Sequence, residues 1–288
     1  MFEGAYTALV TPFAKGGAVD YPRLRELVEA QIAGGIDGLV PVGTTGESPT
    51  LDVVEHLKVI EETIAAARRR VKVIAGTGAN STAEALELTR RAKDMGADGT
   101  LQVTPYYNKP TQTGLIRHFT AVADLGLPVV LYNVPGRAGA EIAVDTVVKL
   151  SGHPAIVAVK EAAGSVDRVS HIVRRCGIEV VSGDDMLTLP MMSVGAVGVI
   201  SVASNVAPKA VADLVHHALA GRWAEARALH QRHHRLFCDL FLETNPGPVK
   251  AALAMMGRIE EEYRLPLCEI GEASRRTLRA TLEDLGLV

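Results

Sequence analysis

Eight short runs rich in Val, Ile, Leu and Ala recur along this chain, and each is followed by a segment that reads as a helix. The runs end near Val10, Val42, Ala75, Val103, Tyr132, Lys160, Ser182 and Ser201. VKVIAG (71–76), PVVLYN (128–133) and AIVAVK (155–160) are almost continuously apolar. Strands of that kind need cover on both faces, which parallel strands joined by helical crossovers provide. Helices are predicted over Tyr21–Gly34, Asp52–Arg69, Ser81–Met95 and Thr111–Leu125. Asp20 and Pro22 mark the start of the first. Ser81 and Glu84 have the spacing of a reciprocal capping box at the third.

Eight strand–helix units in series predict an α/β fold, a closed (β/α)8 TIM barrel. An open dinucleotide-binding sheet would carry GxGxxG after its first strand, and none is present. The 288 residues suit one barrel with additional helices. Further helices are predicted over Ala207–Ala220, Trp223–Leu242, Pro246–Met256 and Glu272–Leu285. The expected division is a barrel over 1–224 and a C-terminal helical extension over 225–288, packed on the barrel without a low-complexity linker.

Composition narrows the function classes. Net charge is −3 and there is no basic stripe, which argues against nucleic acid as a partner. No stretch approaches the roughly 18 apolar residues that span a membrane. The opening MFEGAYTALVTPF lacks the features of a signal peptide, so a reducing cytoplasm is the expected location. Cys176, Cys238 and Cys268 are widely spaced and odd in number, which predicts buried free thiols rather than disulfides or a CxxC metal site. His230, His233 and His234 fall on one predicted helix, but no Glu completes an HExxH pattern, and a solvated face is the expected reading.

In a (β/α)8 barrel the active site lies at the C-terminal ends of the strands. Of nine lysines, only Lys160 closes an apolar strand there; Lys72 begins a strand and belongs to the opposite face. A lysine so placed loses hydration, which favours the neutral amine that attacks carbonyls to form an imine. The competing role is an ion pair with Glu161 or Asp184. Gly43-Thr44-Thr45-Gly46 supplies consecutive N–H groups and two hydroxyls, a nest for a carboxylate, or else a simple turn before the next helix. Tyr132 closes the strand next to that of Lys160 and can pass protons, unless it only hydrogen-bonds to the backbone. Arg137 offers a planar fork to a second carboxylate, with a surface ion pair as the alternative. Tyr106 and Tyr107 are adjacent in a catalytic-face loop of a chain with 4% aromatics.

Taken together, ALVTPF (8–13), GTTGES (43–48), VTPYYNKP (103–110), LYNVPGR (131–137), VKEA (159–162), SGDD (182–185), GVISV (198–202) and NPGPVK (245–250) resemble the dihydrodipicolinate synthase family over the whole chain and in order. The wider superfamily includes N-acetylneuraminate lyase and keto-deoxy-sugar-acid aldolases. The resemblance implies that Lys160 forms an imine with pyruvate and that Thr44 and Thr45 hold the pyruvate carboxylate. It implies a proton relay of Tyr132, Thr45 and Tyr107, the last from a neighbouring subunit. Arg137 would bind the carboxylate of aspartate-4-semialdehyde, Gly183 would border the substrate, and the Ile200 carbonyl would lie near the imine. The imine is the electron sink, so no cofactor or metal is expected. A homotetramer built as a dimer of dimers is implied. So is inhibition by L-lysine at Ser48, His56, Asn80, Glu84 and Tyr106. Ala138 stands where the family often has Thr, and Val53 where some lysine-inhibited members have a polar residue. Two other readings are a superfamily aldolase acting on a 2-keto sugar acid and a non-catalytic metabolite-binding paralogue. Arg137 and Tyr107 oppose the former; the retained Lys160 and Tyr132 oppose the latter.

Overall fold

The structure, a computed structural model, describes residues 1–288. Eight parallel strands close into a barrel in sequence order: β1 (Gly4–Ala8), β2 (Gly38–Val40), β3 (Lys72–Gly76), β4 (Gly99–Val103), β5 (Val129–Asn133), β6 (Ile156–Glu161), β7 (Glu179–Ser182) and β8 (Gly198–Ser201). The ring closes between β8 and β1, where Gly4 faces Gly198 in register. A Cβ on Gly198 would stand 1.9 Å from the Gly4 carbonyl oxygen, so the closure requires glycine there.

Two-residue alternation sorts the side chains. Tyr6, Val40, Ile74, Leu101, Val130, Tyr132, Ala158, Val181 and Ile200 fill the barrel interior. The intervening residues, such as Leu39, Val73, Val129, Leu131, Val159 and Val180, pack outward against the helices in a second and larger core. Each strand is therefore apolar on both faces, which is the physical content of the continuous runs in the sequence.

The helices begin where their caps dictate. Asp20 accepts a hydrogen bond from the Arg23 N–H at 3.0 Å, with Pro22 in the first turn of Tyr21–Ala33. Ser81 caps Thr82–Asp94 through the Glu84 N–H, but Glu84 does not reach back. The reciprocal box belongs instead to Asp52 and Glu55, at the start of Val53–Ala67.

The C-terminal region is not separable from the barrel core. Helix Trp223–Asp239 runs through the expected division at 224/225. Leu236, Phe237, Val249, Leu253, Leu278 and Leu282 join the same core as the barrel-covering helices. The cysteines depart from expectation: all three are free, but none is buried. Cys176 and Cys238 are half-buried, at the end of one helix and on the surface of another, and Cys268 is exposed in a loop. No helix is long and apolar enough to cross a membrane.

Candidate active site

The C-terminal ends of the strands surround a cavity of about 250 Å³. Its wall contains Lys160, Tyr132, Thr44, Thr45, Arg137 and Gly183. Tyr132 and Lys160 are direct register partners on β5 and β6, and both point into the barrel. The Lys160 Nζ lies 4.3 Å from the centre of the Tyr132 ring. Lys160 is 5% exposed and makes no ion pair, although Glu161 follows it in the chain and Asp184 lines the same cavity.

Each of those carboxylates is engaged elsewhere. Glu161 faces outward, where it accepts hydrogen bonds from Asn133 Nδ2 at 2.8 Å, the Ala163 N–H at 2.9 Å and Arg168 Nε at 2.7 Å. Asp184 accepts from the Met186 N–H at 3.0 Å. The next residue, Asp185, ties the end of β7 to β8: it accepts from the Val202 and Ala203 N–H groups at 3.0 and 2.9 Å and from the Ser201 hydroxyl. Burial pushes its carboxyl above the usual range. Lys160 is therefore a buried amine without a counter-ion, facing an open cavity.

Gly183 makes room for it. A Cβ there would stand 2.9 Å from Lys160 Cε and 2.7 Å from the Ala162 Cβ. The Gly183 N–H bonds the Glu161 carbonyl at 2.8 Å, which holds the β7 end against β6.

The loop after β2 has the form of a nest. The N–H groups of Gly46, Glu47 and Ser48 turn back on the carbonyls of Gly43 and Thr44. Those of Thr44 and Thr45 have no partner within the chain. The loop is bracketed by two non-glycine residues in left-handed backbone, Val42 at φ 51° and Glu47 at φ 54°. That conformation is a genuine outlier for a β-branched residue such as Val42.

Two residues that brace this region come from the C-terminal part of the chain, and the sequence reading gave neither a role. Asn245 donates to the Thr45 hydroxyl at 2.9 Å, and its carbonyl accepts from Arg137 Nη2 at 3.3 Å. It thus links the loop after β2 to the arginine. Lys250 is fully buried, and its Nζ donates to Glu47 at 2.5 Å. The available signal was composition: Lys250 is the only charged residue in helix Gly247–Met255, GPVKAALAM.

The remaining expected residues are more dispersed. Ile200 is buried within the barrel and does not line the cavity; Val202, two residues on, does. Tyr107 is 90% exposed at φ 70° and lies outside the cavity of its own chain. Ser48 and Tyr106 border an adjoining cleft of about 240 Å³, which shares Thr44, Tyr132 and Arg137 with the first cavity. Burial, and then the nearby Glu84 charge, raises the Tyr106 pKa, and Asn80, close to the same ring, accepts from Asn108 Nδ2 through its carbonyl at 2.8 Å, so these residues are neighbours. His56 is 5% exposed and does not line the cleft; its Nε2 meets the Gly76 carbonyl at 2.9 Å, and burial lowers its pKa. Ala138, also buried, lines the cleft. The rings of His230 and His234 approach to 5.4 Å, but no three His, Cys, Asp or Glu side chains converge as a metal site.

The fold and site define the class of a (β/α)8-barrel lyase, with an unpaired buried lysine at the end of β6 beside a tyrosine and a nest of backbone N–H groups. The profile of the Dihydrodipicolinate synthetase (DHDPS) family matches residues 1–285, and the chain belongs to that family. The 4-hydroxy-tetrahydrodipicolinate synthase of Geobacter sulfurreducens is 54% identical over the full length of both chains. A chloride-inhibited dihydrodipicolinate synthase from Acinetobacter baumannii, solved with pyruvate, superposes with a TM-score of 0.98 at 47% identity, covering 100% of both chains. A DHDPS from Cyanidioschyzon merolae, solved with lysine bound, gives 0.97 at 41% identity, covering 100% of this chain and 99% of that one.

Proposed function

We propose that this chain condenses pyruvate with L-aspartate-4-semialdehyde, the 4-hydroxy-tetrahydrodipicolinate synthase reaction of diaminopimelate and lysine biosynthesis. The observation that carries this reading is the unpaired, buried Lys160 Nζ over the Tyr132 ring at a cavity that also holds a carboxylate nest and Arg137. The Lys160 amine attacks the ketone of pyruvate and water leaves, giving an imine. The imine draws electrons from the methyl group, a proton departs, and the enamine attacks the aldehyde carbon of the second substrate. The amine of that substrate then displaces Lys160 and closes the ring. The imine is the electron sink, so the reaction calls for no cofactor or metal.

Thr44 and Thr45 receive the pyruvate carboxylate through their free N–H groups and hydroxyls. Tyr132 and Thr45 pass protons together with Tyr107 of another copy, in a homotetramer assembled as a dimer of dimers. The exposure of Tyr107 on left-handed backbone supports its use outside its own chain. Arg137, braced by the Asn245 carbonyl, takes the second carboxylate. Gly183 borders the imine, and Ile200 offers its backbone carbonyl toward it from the barrel interior. Met186, Val202 and Phe241 add apolar surface to the cavity, which disfavours a 2-keto sugar acid carrying many hydroxyls. A reducing cytoplasm suits the three free cysteines.

L-lysine inhibition is a second reading of the adjoining cleft. It is favoured by the proximity of Tyr106, Asn80 and Glu84 and by the lysine-bound relative. Ser48 lines the cleft directly, and His56 supports it from beneath.

The test is an assay with pyruvate, aspartate-4-semialdehyde and excess dihydrodipicolinate reductase, following NADPH. Loss of NADPH that requires both substrates and Lys160 is expected. No loss, with pyruvate still trapped on Lys160 by borohydride, would transfer the imine chemistry to another aldehyde.

A further inference from the structure

The loop that carries Thr44 and Thr45 is held from outside the barrel. Glu47 ends it in left-handed backbone, and neither Glu47 nor Lys250 has any exposed side-chain surface. The Lys250 Nζ lies 4.1 Å from the centre of the Phe13 ring and 5.2 Å from that of Tyr263. The Arg264 N–H approaches the other Glu47 oxygen at 3.4 Å. Five residues before Lys250, Asn245 donates to the Thr45 hydroxyl itself. The start of helix Gly247–Met255 and the segment leading into it therefore grip the loop at two points.

A buried ion pair is weak evidence of stabilisation, because desolvation offsets much of the attraction. Its use must be sought in geometry. Strained backbone persists where surrounding contacts over-determine it. Here the strained residue is Glu47, and the free N–H groups of Thr44 and Thr45 lie two and three residues before it. If the loop relaxed, those donors would turn away from the cavity.

We propose that the Glu47–Lys250 pair positions the pyruvate carboxylate site, with Lys250 a positioning residue supplied by the C-terminal region. The inference rests on the pyruvate reading above. It explains why a cation stands in the apolar helix GPVKAALAM, and it makes that helix part of the site's geometry.

The experiment is borohydride trapping of the Lys160–pyruvate imine across a range of pyruvate concentrations, with melting temperatures measured in parallel. The proteins are the full-length wild type, Lys250→Met, Glu47→Gln and the double variant Glu47→Gln/Lys250→Met. Lys250→Met strands a buried carboxylate, so its melting temperature falls and half-saturating pyruvate rises about tenfold or more. In the double variant no orphan charge remains, so stability recovers, but the tether is gone and half-saturating pyruvate stays high. Recovery of pyruvate affinity together with stability in the double variant would make the pair merely structural and overturn the proposal. So would unchanged half-saturation in the single variants. If Lys250→Met fails to fold, the double variant decides. A wild type that traps no pyruvate at all would instead remove the functional reading beneath the proposal, and the proposal with it.

Discussion

Lys160 and Tyr132 are register partners on neighbouring parallel strands, with the amine 4.3 Å from the centre of the phenol ring. The pairing divides the chemistry between them. Lys160→Ala is expected to abolish both borohydride trapping and turnover. Tyr132→Phe keeps the amine and its apolar surroundings, so trapping at long times persists while kcat falls about 10²–10⁴-fold, the usual contribution of a positioned proton donor. Stopped-flow trapping and steady-state assays separate the two.

Gly183→Ala should disturb Lys160 directly. The new methyl group would press on Lys160 Cε and the Ala162 Cβ, both closer than 3.0 Å. The expected result is imine formation slowed about tenfold or more, with the barrel intact by circular dichroism.

Arg168→Leu should destabilise the fold through Glu161. Glu161 is fully buried and its only cationic partner is Arg168. Removing the guanidinium leaves an uncompensated carboxylate, at a cost of about 3–5 kcal/mol. Urea denaturation at fixed protein concentration measures it, and a loss much below that range would mean the Asn133 and Ala163 donors suffice.

Acid should weaken one link between the C-terminal region and the barrel. Glu55 accepts both terminal nitrogens of Arg264 at 2.6 Å, which holds its carboxyl below the ordinary value of 4.5. Once unfolded, Glu55 takes up its proton near that ordinary value; when folded it does so only at lower pH. The stabilisation is thus fully present above the unfolded pKa and is lost as pH falls through the folded one. Between about pH 5 and about pH 3, the denaturation midpoint of the wild type should fall more steeply than that of Glu55→Gln.

Glu84→Gln tests the adjoining cleft. Millimolar-scale L-lysine is expected to lower wild-type activity, and the variant should need about tenfold more for the same effect, since a charge-assisted contact to the ammonium group is lost. Insensitivity of the wild type would remove the inhibitor reading while leaving the catalytic one in place.

Several parts of this architecture were legible from residue order alone. Apolar runs fix β5 and β6, and a strand's two-residue repeat then sends Tyr132 and Lys160 inward and Asn133 and Glu161 outward. Cap chemistry located helix starts, but spacing alone misplaced the reciprocal box. Ser81 and Glu84 have the right separation, yet only Asp52 and Glu55 adopt the side-chain geometry. Burial of the cysteines was misjudged because residue type carries an average tendency, whereas Cys176, Cys238 and Cys268 occupy a helix end, a helix surface and a loop.

By itself the sequence determined the barrel and the lysine that closes β6 at its C-terminal end, because those follow from local periodicity and strand order. Only the tertiary structure decided that Glu161 belongs to Arg168, which leaves Lys160 unpaired, and that Asn245 and Lys250 brace a loop about 200 residues earlier. Hydrogen bonds and ion pairs between distant segments depend on which side chains the closed barrel brings within reach, and no local pattern records that.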